Sequence, residues 1–467
     1  IWEIDDYRVR IWDFAGHVDT HATHHLFLSE NCLYIIVYNG RTERGNNLEY
    51  WLEHVKNYGG NSEIIILVNV FDENRVTIPV NNLKKKYNIK GVSYFSLLSD
   101  KNQTIEFRND ILERFKSNLS WNKKSITLNF YRIKEKMEKL FDEGVDDIEI
   151  CQLKELARLY GVNDFDILLK NLHCLGVGLH YDISGIDAVI LNPEWITSGV
   201  YYIINWMSNN EKHSIKISEI AHVFKNKTNS YPTSKHEFLY KLMIKYELAY
   251  EMKAEKILGS NYEKKAEKGL EVPCLLDIDQ PEYLPNFFHK STIMFRFSSE
   301  SPLPPDTISR FIVRHNGIIT RYVWRYGAIL RNHDGTTALV IEEDRAIQIF
   351  VAGSIIDDNF KIKNEIDTSN KEFKLDFVTN EQKTEFLSEI RKSLNDIFKS
   401  YKQTKRIIEY NIHIGSLSED EIIWVSEVEL DGHAKHCRNY WDSTSDREFS
   451  ISELIKTFNL EAEFRYK

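Results

Sequence analysis

The stretch that most constrains this chain is Ile64-Ile-Ile-Leu-Val68, a continuous and largely β-branched apolar run. A run of this length without alternation fits a strand covered on both faces, as in a parallel sheet. Three similar runs, at Tyr7–Phe14, Cys32–Tyr38 and Gly91–Leu97, flank it. Between them, Asn47–Tyr58 places Leu48, Trp51, Leu52 and Val55 at helical spacing, and Ile105–Leu119 repeats the pattern. Strands alternating with helices predict a doubly wound α/β sheet, with ligands at the strands' C-terminal ends. We expect this α/β domain over residues 1–122. The chain begins at Ile1, directly before a strand, and so reads as a piece of something longer.

Each of these strands closes on polar residues: Asp13, then Asn39, then Asn69 with Asp72, then Ser96. Asp13-Phe-Ala-Gly16 fits D-x-x-G. A carboxylate at a strand end can hold a metal-bound water, and a side-chain-free glycine lets its N–H approach phosphate. Asn69-Val-Phe-Asp72 fits N-x-x-D, in which the Asn braces the loop and the Asp accepts hydrogen bonds from guanine N1–H and the exocyclic amine. Asp182-Ile-Ser-Gly185, Asn163-Asp-Phe-Asp166 and Asn364-Glu-Ile-Asp367 fit the same patterns. Neither Asn pattern ends a buried-looking apolar run and Asp182–Gly185 reads as an ordinary turn, so context separates the first set from them.

Asp13-Phe-Ala-Gly-His17, Thr23-His-His-Leu-Phe-Leu-Ser29, Leu33-Tyr-Ile-Ile-Val-Tyr38 and Trp51-Leu-Glu-His-Val55 before Asn69–Asp72 together resemble the Roc GTPase domain of the Roco family. The resemblance implies a Ras-type, P-loop NTPase-like sheet that is N-terminally incomplete, and it implies GTP or GDP and Mg²⁺ as cofactors. It casts Asp13 as the Mg²⁺-water ligand, Gly16 as the γ-phosphate contact and His17 as the residue orienting water. Asn69 and Asp72 become guanine readers, and Ser96 lies near the base-supporting loop. Two departures stand out. Val70 occupies the place of the pattern's lysine, and no G-x-x-x-x-G-K-[ST] occurs in the chain.

From residue 123 helical periodicity takes over. Apolar residues recur at Ile133, Met137, Leu140 and Phe141, at Leu153, Leu156, Ala157 and Tyr160, and at Ile167, Leu168 and Leu172. A hairpin follows, with Gly176–Tyr181 and Ala188–Leu191 around a turn at Asp182–Gly185. Three helices and a hairpin predict a winged-helix-like module over residues 123–265. Its third helix carries Asp164 and Asp166 against Lys170 alone, whereas a DNA reader needs clustered positive charge. Asn192-Pro-Glu-Trp-Ile-Thr-Ser-Gly-Val200 resembles the first half of the COR domain (C-terminal of Roc), which implies an intramolecular Roc–COR contact.

Residues 270–402 read as an α+β module. A strand is expected at Thr292–Phe297, a Pro-started helix at Pro304–Val313, and strands at Tyr322–Leu330, Thr337–Ile341 and Ala346–Val351. A long helix follows at Glu381–Tyr401. This order, with Trp324-Arg-Tyr-Gly-Ala-Ile-Leu330, resembles the second COR half and implies a homodimer formed through it. Trp324 and Tyr326 can serve either sheet-face packing or dimer contact. Residues 403–467 form a β-rich extension, with strands expected at Ile407–Ile414 and Ile422–Leu430 and a capping-box helix start at Ser450–Glu453.

A net charge of −10 argues against nucleic-acid binding. Five scattered cysteines fit a reducing, cytoplasmic compartment, and no apolar run is long enough to span a membrane. His21, His24 and His25 lack further ligands at metal spacing, and so do His433, His436 and Cys437. Two functions follow. One is the GTP-hydrolysing core of a Roco signalling protein, with leucine-rich repeats upstream and nucleotide state coupled to dimerisation. The other is a non-hydrolysing dimeric scaffold with a degenerate nucleotide site, motivated by Val70 and the absent phosphate loop.

Overall fold

In a computed structural model the chain divides into two units, Ile1–Val272 and Pro273–Lys467. The structure describes residues 2–4, 7–9, 11, 13, 28, 32–40, 48–70, 78–96, 101–117, 126–180, 187–252, 268–285, 287, 293–299, 303–304, 306–343, 345–353, 378–400, 408–413, 424–426, 439–442 and 447–449.

The first unit opens with β1 (Trp2–Ile4) and β2 (Tyr7–Val9), which pair antiparallel. Strand β2 is shorter than the run Tyr7–Phe14 suggests, so Asp13 lies past its end. Three parallel strands follow, β3 (Leu33–Asn39), β4 (Glu63–Asn69) and β5 (Ile89–Phe95), in that spatial order. They are joined through α1 (Leu48–Gly59) and α2 (Val80–Lys86), and α3 (Lys101–Ser117) follows β5. Central β4 buries every residue from Ile64 to Val68, which explains why its sequence is apolar without alternation. Strand β3 buries Ile36 and Tyr38 but leaves Ile35 and Val37 exposed, so among the described residues one of its faces is covered. Leu52 and Val55 of α1 pack with Ile36, Ile64, Ile66 and Val68 on one face. Phe107 of α3 meets Phe95 of β5 at 5.5 Å between ring centroids.

Three helices then form as periodicity predicts: α4 (Leu128–Asp142), α5 (Ile150–Leu159) and α6 (Phe165–Cys174). Asp164 caps α6 by accepting from the Ile167 N–H at 2.9 Å. Ile133, Met137, Leu153, Ala157, Leu168 and Leu172 share one core, while Ile167 is exposed. Strands β6 (Asp147–Glu149), β7 (Leu179–His180) and β8 (Ala188–Ile190) form a small antiparallel sheet in the order β6-β8-β7. The turn Asp182–Gly185 lies outside the described residues. Next come α7 (Pro193–Asn209), β9 (Ser214–Lys216), α8 (Ile217–Val223), α9 (Thr233–Lys245), β10 (Tyr250–Glu251) and β11 (Gly269–Glu271). Tyr231 stacks on Phe224 at 4.4 Å and on Trp195 at 5.3 Å, and its hydroxyl donates to the Trp195 carbonyl at 2.7 Å. An ion pair between Lys235 of α9 and Asp147 of β6 ties this half to the preceding one.

The second unit contains a seven-stranded antiparallel sheet. Its strands are β12 (Ile293–Ser299), β13 (Ile319–Trp324), β14 (Gly327–Arg331), β15 (Thr337–Glu343), β16 (Ala346–Ala352), β17 (Ile408–His413) and β18 (Trp424–Ser426), in the spatial order β13-β14-β15-β16-β12-β17-β18. Helices α10 (Thr307–His315) and α11 (Asn380–Lys399) pack together, and Arg310 donates to the Ser400 hydroxyl at 2.7 Å. A hairpin of β19 (Tyr440–Asp442) and β20 (Arg447–Phe449) follows. The run Tyr322–Leu330 is two strands rather than one. A tight turn at Arg325-Tyr326 separates them, and Arg325 N–H donates to the Asp277 carbonyl at 2.8 Å. Trp324 is buried among Phe287, Met294, Ile329, Leu339 and Phe350, so it serves sheet-face packing, while Tyr326 is exposed. Strand β17 pairs with β12 and β18 with β17, so residues 408–413 and 424–426 extend the same sheet. Ser450–Glu453, His433, His436 and Cys437 lie outside the described residues.

Candidate functional site

The parallel register puts the C-terminal ends of β3, β4 and β5 side by side. Asn39 stands opposite Asn69, and Asn69 stands opposite Phe95, with Ser96 next in the chain. Asn69 and Ser96, 27 positions apart in sequence, are thereby brought to one edge of the sheet, where α/β sheets bind ligands. The sequence singles out both. Asn39 shares the row, and the signal for it was its place at the close of an apolar run.

Main-chain bonds hold this edge. Gly40 N–H donates to the Asn69 carbonyl at 2.9 Å, and Val70 N–H donates to the Phe95 carbonyl at 3.1 Å. The segment leaving β4 is therefore fixed at its root from both neighbouring strands. Helix α2 carries the chain to the start of β5, at the opposite edge of the sheet, where it is tied to α1. Tyr87 donates to buried Glu53 of α1 at 2.8 Å, and Lys86 lies 3.2 Å from the same carboxylate and 3.0 Å from Glu49. Val70 packs against the α1-side core with Val68 and Ile78, which accounts for an apolar residue at this position.

The remaining expected site residues are placed less fully. Asp13 is exposed and outside any strand. Gly16, His17 and Asp72 lie outside the described residues, as do His21, His24 and His25. Among the described residues no cluster of three or more His, Cys, Asp or Glu side chains could hold a metal ion. Of the residues expected to read the base, the described edge holds Asn69 and Ser96. On the phosphate side Asp13 is the only one of the expected residues described.

A three-stranded parallel sheet with helices on both faces, followed by a winged-helix-like module and an antiparallel α+β unit, defines a Ras-like domain joined to a two-part C-terminal region. Family comparisons agree. The model for Roc, "Ras of Complex, Roc, domain of DAPkinase", matches residues 2–72. The models for "C-terminal of Roc, COR-A domain" and "C-terminal of Roc, COR-B domain" match residues 127–276 and 290–457. The chain belongs to the Roco family. Asp13, Gly16, His17, Asn69 and Asp72 fall within the Roc match, and Ser96 falls beyond it.

Among relatives, the "Probable serine/threonine-protein kinase pats1" of Dictyostelium discoideum is 26% identical over 355 residues, which cover 72% of this chain and 11% of that protein. A "Roc-COR-CHAT protease" from an unknown prokaryotic organism is 23% identical over 361 residues, covering 73% and 32%. The chain thus spans a minor part of the length of these curated relatives. A solved structure of Methanosarcina barkeri Roco2 RocCORdC bound to GDP matches with a TM-score of 0.45 and 28% identity, over 59% of this chain and 83% of that one. No helix among the described residues is long and apolar enough to cross a membrane.

Proposed function

We propose that this chain is the guanine-nucleotide switch of a Roco protein, which binds and hydrolyses GTP and couples nucleotide state to dimerisation through COR-B. The observation that carries the reading is Asn69 and Ser96 on one edge of a parallel sheet, within and just beyond a segment matching the Roc family. Asn69 braces the loop through which Asp72 would accept hydrogen bonds from guanine N1–H and the exocyclic amine. Ser96 supports the base from the neighbouring strand end.

Asp13 would hold a water of the nucleotide's Mg²⁺, the ion that neutralises charge developing on the phosphates. Gly16 N–H would meet the terminal phosphate, and His17 would orient the attacking water. COR-A packing against the segment that follows Gly16 would transmit the nucleotide state to COR-B, as an order change in a switch segment does elsewhere. Val70, which stands in the place of the pattern's lysine, favours a second reading, a dimeric scaffold without turnover.

GTP turnover by the purified full-length protein, with and without Asp13→Ala, separates the two. The switch reading expects turnover that Asp13→Ala abolishes, with sedimentation differing between GDP and a non-hydrolysable GTP analogue. Absence of turnover, together with one sedimentation value in all states, would establish the scaffold instead.

A further inference from the structure

We infer that Gly40 is a positioning residue for guanine selection, acting through the main chain of Asn69. Gly40 is buried immediately after β3, and its N–H donates to the Asn69 carbonyl at 2.9 Å. A Cβ at this position would lie 2.6 Å from the Asn69 oxygen, 3.3 Å from its carbonyl carbon and 3.4 Å from the Val68 side chain. The first contact is with backbone, which cannot rotate aside as a flexible side chain would. Any larger residue must therefore displace the end of β4 at the point where Asn69 leads into Val70.

The neighbouring bond from Val70 N–H to Phe95 sets the loop's root from the other side. Because β5 holds that side, a push from residue 40 tilts the root rather than carrying it along. Selection of guanine by a carboxylate three residues further on depends on hydrogen-bond geometry, which degrades steeply with misalignment. The N-x-x-D pattern does not include Gly40, since it belongs to the preceding strand and joins the site only through sheet register.

This inference rests on the guanine-nucleotide reading, and the test keeps the two apart. GDP and IDP differ by the exocyclic amine that Asp72 would recognise. Their affinities for the purified full-length protein are compared by calorimetry in the unsubstituted form, in Gly40→Ala and in Gly59→Ala. Gly59 is the structural control. A Cβ there would come 2.7 Å from the Tyr34 ring, at the start of β3 and hence at the opposite end of the sheet.

The expected result is that Gly40→Ala loses about tenfold of the preference for GDP over IDP, the worth of one hydrogen bond. Gly59→Ala should keep the preference whatever it does to stability. An unchanged GDP-to-IDP ratio in Gly40→Ala overturns the role of Gly40 and leaves guanine binding standing. No GDP binding by the unsubstituted protein overturns the guanine reading, and with it this role. Should Gly40→Ala fail to fold, amide exchange at Gly40 in the unsubstituted protein decides. Slower exchange with GDP than with IDP supports the role, and equal exchange refutes it.

Discussion

Glu53 of α1 holds Tyr87, the residue that ends α2 and leads into β5, and its removal has a calculable cost. The carboxylate is 3% exposed, and Tyr87, whose hydroxyl donates to it at 2.8 Å, is 5% exposed. A hydrogen bond to a charged group contributes about 1.5–3 kcal/mol, and a buried donor stripped of its acceptor costs a further ~1–3 kcal/mol. The Lys86 contact to Glu53 adds little, because the Lys86 side chain is 37% exposed and such pairs contribute about 0–1 kcal/mol. Glu53→Ala should therefore destabilise the sheet by about 3–5 kcal/mol. Tyr87→Phe removes the bond without leaving a buried donor unpaired and should cost about 1.5–3 kcal/mol. The double variant should reveal a coupling of about 1.5–3 kcal/mol. Native-state hydrogen exchange of the α1 and β4 amides reads these opening free energies directly. Additive effects of the two substitutions would refute the argument, because they would mean that Glu53 and Tyr87 do not act through their mutual bond.

Burial, helped by the neighbouring Arg314, holds His315 down at about 4, below its ordinary 6.5. The unfolded chain therefore takes up that proton first as pH falls. His315 is stabilising as the neutral ring above pH 6.5, and stability should fall between about pH 6.5 and 4 by up to ~3 kcal/mol relative to His315→Leu, as urea titrations at each pH would show. A pH-independent difference between the two proteins would contradict this. Gly199 of α7 lies where a Cβ would come 2.9 Å from the Tyr231 ring and 3.0 Å from Leu239. Gly199→Ala should lower the thermal midpoint of the first unit, at a cost of about 1–3 kcal/mol for overpacking, whereas an unchanged midpoint would mean that the aromatic cluster yields.

Much of the fold is legible in the sequence because burial and period coincide. Ile64–Val68 is apolar throughout because β4 is covered on both faces, and the helices of the winged-helix-like module show their stripes at Ile133, Met137, Leu153, Leu168 and Leu172. Legibility fails where pairing partners are distant. Nothing local in Ile408–His413 says that it joins β12, more than a hundred residues earlier. Asp147–Glu149 is too short to show a period, and Tyr322–Leu330 reads as one strand because its turn, Arg325-Tyr326, carries no Asn or Gly at its centre. The site divides the same way. Asn69 and Ser96 were visible as polar residues closing apolar runs, whereas Gly40 enters only through the register between β3 and β4.

The central claim is guanine-nucleotide recognition at the carboxyl edge of the parallel sheet. Calorimetric titration of the purified full-length protein with GDP and with ADP, repeated for Asp72→Asn, tests it most directly. The account expects GDP to bind, ADP to bind far more weakly, and Asp72→Asn to lose the preference, since an amide cannot accept both guanine hydrogen bonds. Equal affinity for GDP and ADP, or a GDP preference that survives Asp72→Asn, would contradict it.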